Sequence, residues 1–80
     1  MRGLKETSLL REKFGNRIRL LRGDRGLTQE QLAERAGISV DFLSLIERGK
    51  NSPSFDNLDD IAGALGVSVA ELFSFTGEIL

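Results

Sequence analysis

The chain repeats one three-residue device, a glycine, an apolar residue and a hydroxyl residue, as Gly26-Leu27-Thr28, Gly37-Ile38-Ser39 and Gly66-Val67-Ser68. Glycine tolerates the left-handed conformation that closes a helix, and a hydroxyl two positions on accepts a hydrogen bond from the free amides of the next helix. The apolar residue between them sits one place before the cap, where it packs on the fourth residue of the new helix. That register pairs Leu27 with Leu32, Ile38 with Leu43 and Val67 with Leu72, and it offers capping boxes at Thr28 with Gln31 and Ser68 with Glu71. A sequence punctuated in this way is committed to short helices joined by tight corners.

Between the marks the apolar residues recur at helical spacing. Helix one carries Leu10, Phe14, Ile18 and Leu21 on its inner face and runs to about Arg25. Helix two, roughly residues 29–36, buries Leu32, Ala33 and Ala36; helix three, roughly 40–48, buries Leu43 and Ile46, and Gly49 closes it. Ser54 can cap helix four, whose inner face reads Phe55, Leu58, Ile61, Ala62 and Leu65, and helix five offers Val69, Leu72 and Phe73. No stretch alternates with period two, so the expected fold is all-α, a compact five-helix bundle in a single domain over residues 1–80. Eighty residues bury roughly 60–65% of the unfolded surface, which leaves room for one modest core and for no ligand-sensing domain.

Helices two and three are separated only by the Gly37-Ile38-Ser39 turn, too short for a flat antiparallel hairpin, so they must cross steeply, with Ala33 and Gly37 as the small residues at the crossing. Residues 27–33 (LTQEQLA), 36–39 (AGIS), Leu43-Ser44, 46–49 (IERG), Pro53-Ser54 and Ile61-Ala62 through 64–68 (ALGVS) closely resemble the Cro and phage-repressor type helix-turn-helix family, the XRE group, over about residues 14–73. Small free-standing regulators such as restriction-modification controller proteins are of this kind. The resemblance implies a lambda-repressor-like DNA-binding domain with its motif at about 28–48, helix three in the major groove of duplex DNA and the amino end of helix two facing a phosphate. It also implies an arginine–carboxylate pair, Arg22 with Glu47, tying helix one to helix three.

Carried onto this sequence, the phosphate-contacting candidates are Thr28, Gln29, Arg48, Lys50, Asn51 and Ser52, with Arg17 and Arg19 as weaker ones. The base-facing candidates are Ser39, Val40, Asp41, Ser44 and Leu45, where family members often carry forked side chains such as Gln, Arg or Asn. Direct readout would therefore be thin, and two readings stay open: specificity through DNA shape, or a surface given over to another protein, as in an antitoxin-like interaction module. Phe42 is expected to be a half-buried support.

Charge placement favours a nucleic-acid partner. Residues 1–50 hold all eleven basic side chains against seven acidic ones, whereas residues 51–80 hold five acidic and none basic, so halves of +4 and −5 make up a formal net charge of −1. The expected dimerisation region is about 67–80, through Val69, Phe73, Phe75, Ile79 and Leu80, with Leu20 as a further exposed apolar residue; a homodimer would bury it, and the other option is a tail folded over its own domain. Cysteine and histidine are both absent, which removes thiolate nucleophiles, imidazole bases and the common zinc sets, so neither cofactor nor metal is expected. Asp59 and Asp60 lie about 100° apart on a helix and read as a solvated face, so no enzyme is expected. The first ten residues show no signal-peptide pattern, and no long apolar run occurs, so the expected location is the cytoplasm, with no membrane partner.

Overall fold

A computed structural model describes the backbone of residues 2–75 and the side chains of residues 9–75, as five helices: α1 (Arg2–Asp24), α2 (Gln29–Ala36), α3 (Val40–Glu47), α4 (Phe55–Leu65) and α5 (Val69–Leu72). No strand occurs among the described residues. Each corner is a hydrogen-bonded closure. Gly26, Gly37, Gly49 and Gly66 have φ between 67° and 74°, and the amide after each donates to a carbonyl five residues back: Leu27 to Arg22, Ile38 to Ala33, Lys50 to Leu45 and Val67 to Ala62. Three of the four lead straight into a cap, where the hydroxyls of Thr28, Ser39 and Ser68 accept from the amides of Gln31, Phe42 and Glu71. Gly49 is followed by Lys50, so it ends α3 without starting a helix, and Ser54 opens α4 with a capping box to Asn57.

The core is one cluster fed by every helix: Phe14, Ile18 and Leu21 from α1, Leu32 and Ala36 from α2, Leu43 and Ile46 from α3, Ile61 and Leu65 from α4, and Leu72 from α5. α2 lies chiefly on α4, and α1 chiefly on α3. Val40, Phe42, Leu58, Val67 and Val69 close its edges, partly buried.

Three expectations about inner faces need correction. Leu10, expected inside α1, is 50% exposed because it lies a turn before Phe14, beyond the first core layer. Phe55, expected inside α4, is 87% exposed for the same reason: the buried stripe of α4 begins at Ile61, and Leu58 is only half-buried. Gly37 serves its left-handed turn and not a close crossing, since a Cβ there would meet nothing within 4 Å. The close approach is at Gly15, where a Cβ would fall on the carbonyl oxygen of Ile46 and 2.6 Å from that of Glu47, so α1 rides directly on the carboxyl end of α3.

Two arginines of α1 and its following turn complete the frame. Neither α4 nor α5 has a basic residue in its last turn, and their carboxyl ends are served from outside: Arg25 Nε donates to Leu65 O at 2.6 Å, and Arg17 Nε to Glu71 O at 2.9 Å. Cations there add a partner to carbonyls at the helix ends and oppose the negative end of the helix dipole.

Candidate nucleic-acid interface

A single carboxylate joins the three helices of the candidate site. Glu47, the last residue of α3, is buried and accepts a two-pronged bond from Arg22, Nε to Oε2 at 2.7 Å and Nη2 to Oε1 at 2.9 Å. Oε1 also accepts from Gln29 Nε2 at 2.9 Å, and the third nitrogen of Arg22, Nη1, donates to Leu27 O at 3.0 Å. Because a carboxylate only accepts, the amide nitrogen of Gln29 must face Glu47. The hydrogen bond to Glu47 raises the Arg22 pKa above its ordinary value, burial opposes this, and the nearby charges of Glu47 and Glu30 add to the rise. A raised arginine stays charged throughout the pH range in which duplex DNA is intact, so this pair does not dissolve through arginine titration there.

The hub puts the amino end of α2 beside the carboxyl end of α3. Thr28 is exposed and its hydroxyl is taken up by its cap; Gln29 is half-buried with one amide hydrogen committed to Glu47 and one left over. Arg48, Lys50, Asn51 and Ser52 follow α3 and are all exposed. Among the described residues neither Arg48 nor Lys50 pairs with a carboxylate. Asn51 Oδ1 accepts from Ser52 N at 2.8 Å, and Ser52 Oγ accepts from Arg11 Nε at 3.1 Å. The sequence reading passed over Arg11, and only a glycine inside a helical run, Gly15, hinted that α1 comes this close to the end of α3.

The outward face of α3 is a stripe of Asp41, Ser44, Leu45 and Arg48, one helical turn apart. Asp41 and Arg48 are exposed, while Ser44 and Leu45 are half-buried. Ser39 is exposed with its hydroxyl engaged by Phe42 N at 3.1 Å. Val40, grouped in the sequence with the outward positions, is half-buried and packed on the core beside Phe42. Arg17, half-buried, and Arg19, exposed, are both bonded to their own domain: Arg17 bonds Glu71 O, and Arg19 Nη2 bonds Asn16 Oδ1 at 2.7 Å and Glu47 O at 3.4 Å.

Phe73, 40% exposed, lies on Phe14 with ring centroids 4.9 Å apart, and Phe75 meets Phe73 edge-on at 6.2 Å. Phe75 and Val69 are half-buried on their own domain, so the described part of the tail folds back on it; Ile79 and Leu80 lie outside the described residues. Leu20 is 59% exposed. No helix among the described residues is long and apolar enough to cross a membrane.

A family model described as helix-turn-helix matches residues 18–72. The chain is 42% identical over 69 residues to the uncharacterized HTH-type transcriptional regulator y4dJ of Sinorhizobium fredii, covering 86% of this chain and 90% of that protein. It is 47% identical over 58 residues to the immunity repressor protein of Bacillus phage phi105, covering 72% of this chain but 40% of that one. The restriction-modification controller protein C.AhdI of Aeromonas hydrophila has a similar solved structure, with a TM-score of 0.77 and 40% identity over 79% of this chain and 96% of that one. With the model spanning all the corners described above, the chain belongs to the Cro and phage-repressor type helix-turn-helix family of transcriptional regulators.

Proposed function

We propose that this helix-turn-helix regulator binds a specific duplex DNA site as a homodimer, with α3 in the major groove, and controls transcription by occupying an operator in the cytoplasm. The observation that carries the reading is the Gln29–Glu47 hydrogen bond, which gathers the free amides of α2, Arg48, Lys50, Asn51 and Ser52 at one end of the outward stripe of α3. Thr28 and the spare amide hydrogen of Gln29 suit one phosphate, and the cations and small polar groups after α3 suit the next ones along the strand. Ser44 can bond several bases, Leu45 and the exposed edge of Val40 can touch a thymine methyl, Asp41 can accept from a cytosine amine, and Ser39 lies at the mouth of the groove. So sparse a set of base contacts assigns much of the specificity to DNA shape and bridging water.

Selection from a random duplex pool with the purified protein, at two salt concentrations, tests this. The expected product is an inverted repeat with half-sites roughly 34 Å apart, bound less tightly as salt rises. Failure to enrich any sequence would overturn the reading and turn the acidic and apolar face of α3 over to a protein partner.

A further inference from the structure

Five large apolar side chains are left exposed among the described residues, and two of them, Leu10 and Phe73, line one groove. Leu10, Phe14, Pro53, Leu58 and Phe73 wall the apolar side of this open groove of about 190 Å³, Asn51 and Ser52 form its polar side next to the end of α3, and Arg11 stands on its rim. Phe55 lies two residues from Pro53 and one turn before Leu58 on α4, on the same stripe of that helix, yet it is 87% exposed. A nearly bare phenyl ring and a half-empty apolar groove thus share one face of the molecule.

We propose that Phe55 of one copy seats in this groove of a second copy, and reciprocally, so that each groove is completed by its partner's ring. The inference rests on the homodimer proposed above and gives it a surface. Charge argues for a second copy as the occupant. Phe55 brings the exposed Asp56 with it, from a half of the chain that has no basic residue, while Arg11 at the groove has its Nε on Ser52 Oγ and pairs with no carboxylate among the described residues. Asp56 of the entering helix would meet Arg11. Symmetry argues the same way: ring and groove are parts of one patch, and a patch that complements itself closes on a two-fold axis instead of growing into a fibre. An aromatic ring buries about 150–250 Å² when enclosed, and two are enclosed at once.

Because Phe55 touches little in its own domain, Phe55→Ala should fold with an unchanged melting temperature at dilute concentration. Sedimentation equilibrium should then show dimer dissociation constants roughly 30-fold or more higher for Phe55→Ala, as truncating a central aromatic anchor does. Asp56→Arg should weaken the dimer, and adding Arg11→Glu should restore it. With no native cysteine, Leu10→Cys and Phe55→Cys in separate copies should give a mixed disulfide-linked dimer on oxidation, well above either protein alone. Wild-type dimerisation by Phe55→Ala with no mixed cross-link would overturn the proposal while leaving the homodimer standing on α5 and the tail. A Phe55→Ala protein that dimerises normally but loses DNA affinity would also overturn it, by turning the ring toward nucleic acid. A lower melting temperature for dilute Phe55→Ala would overturn it in favour of the ring covering its own groove. A wild-type chain that stays monomeric both free and on DNA would instead sink the homodimer itself.

Discussion

Glu47 is the residue on which the motif is hung, because it is at once buried, charged and shared. Its two oxygens take three donors from α1 and α2, so every charged atom that burial strips of water has a partner. Removing its charge strands a guanidinium that is itself only 17% exposed, and breaking such a pair one-sidedly costs far more than the pair adds over apolar packing. Glu47→Gln is therefore expected to cost about 2–4 kcal/mol and to lower the melting temperature by roughly 10–20 °C, read by thermal denaturation. An unchanged melting temperature would mean that the pair contributes no net stability. The same variant leaves one acceptor oxygen for the three donors from Arg22 and Gln29, so Gln29 should be held less firmly and DNA affinity should fall even at temperatures where the protein is folded. Nothing in the spacing of Arg22 and Glu47, twenty-five residues apart, points to their meeting, and the pair enters the sequence reading only through family resemblance. The bond from Gln29 to Glu47 had no signal in the sequence at all, since an amide's partner depends on how two helices cross.

Helix ends were legible because they are local. The glycine, the apolar residue and the hydroxyl of each corner lie within three positions, and their bonds close within five, so the boundaries of α2, α3, α4 and α5 could be read within a residue or so. Faces were less legible. Periodicity tells which side of a helix turns inward but not where along it the core stops, and Leu10 and Phe55 fall on correct stripes beyond the core's edge. The glycines show how far local reasoning reaches within a helix. Gly15 and Gly63 both sit in helix interiors, where alanine is ordinarily better by about 1 kcal/mol. At Gly63 a Cβ meets nothing within 4 Å, so Gly63→Ala should stabilise the fold by about 0.5–1 kcal/mol. At Gly15 the Cβ would strike the backbone of α3, which cannot rotate away, so Gly15→Ala should destabilise by roughly 2–3 kcal/mol. Urea denaturation of the two variants side by side should give opposite signs, and two stabilised proteins would show that α1 does not ride so closely on α3.

At the scale of the whole molecule, the contrast between a basic and an acidic half needs redrawing. The +4 of residues 1–50 includes Arg17, Arg22 and Arg25, which close the ends of α5 and α4 and neutralise Glu47, and Arg19, which reaches back to Glu47 O. Much of the excess thus binds the fold together, and the acidic half owes two of its helix ends to arginines from the basic one. Among the described residues, the exposed cations without a bond into the fold are Arg35, at the carboxyl end of α2, and Arg48 and Lys50, which lie together just after α3. Counterion release makes this measurable, because each phosphate that a side chain neutralises adds about one to the slope of log affinity against log salt. Lys50→Gln should therefore weaken binding across all sequences and reduce that slope by about 1. Arg25→Gln removes the same formal charge but from a side chain held on Leu65 O, so its slope should match the wild type while its stability falls by about 1 kcal/mol. Fluorescence anisotropy on the selected duplex at several salt concentrations separates the two. Equal slope changes would mean that the duplex senses only net charge, and that the row of donors at the end of α3 is not where the phosphates lie.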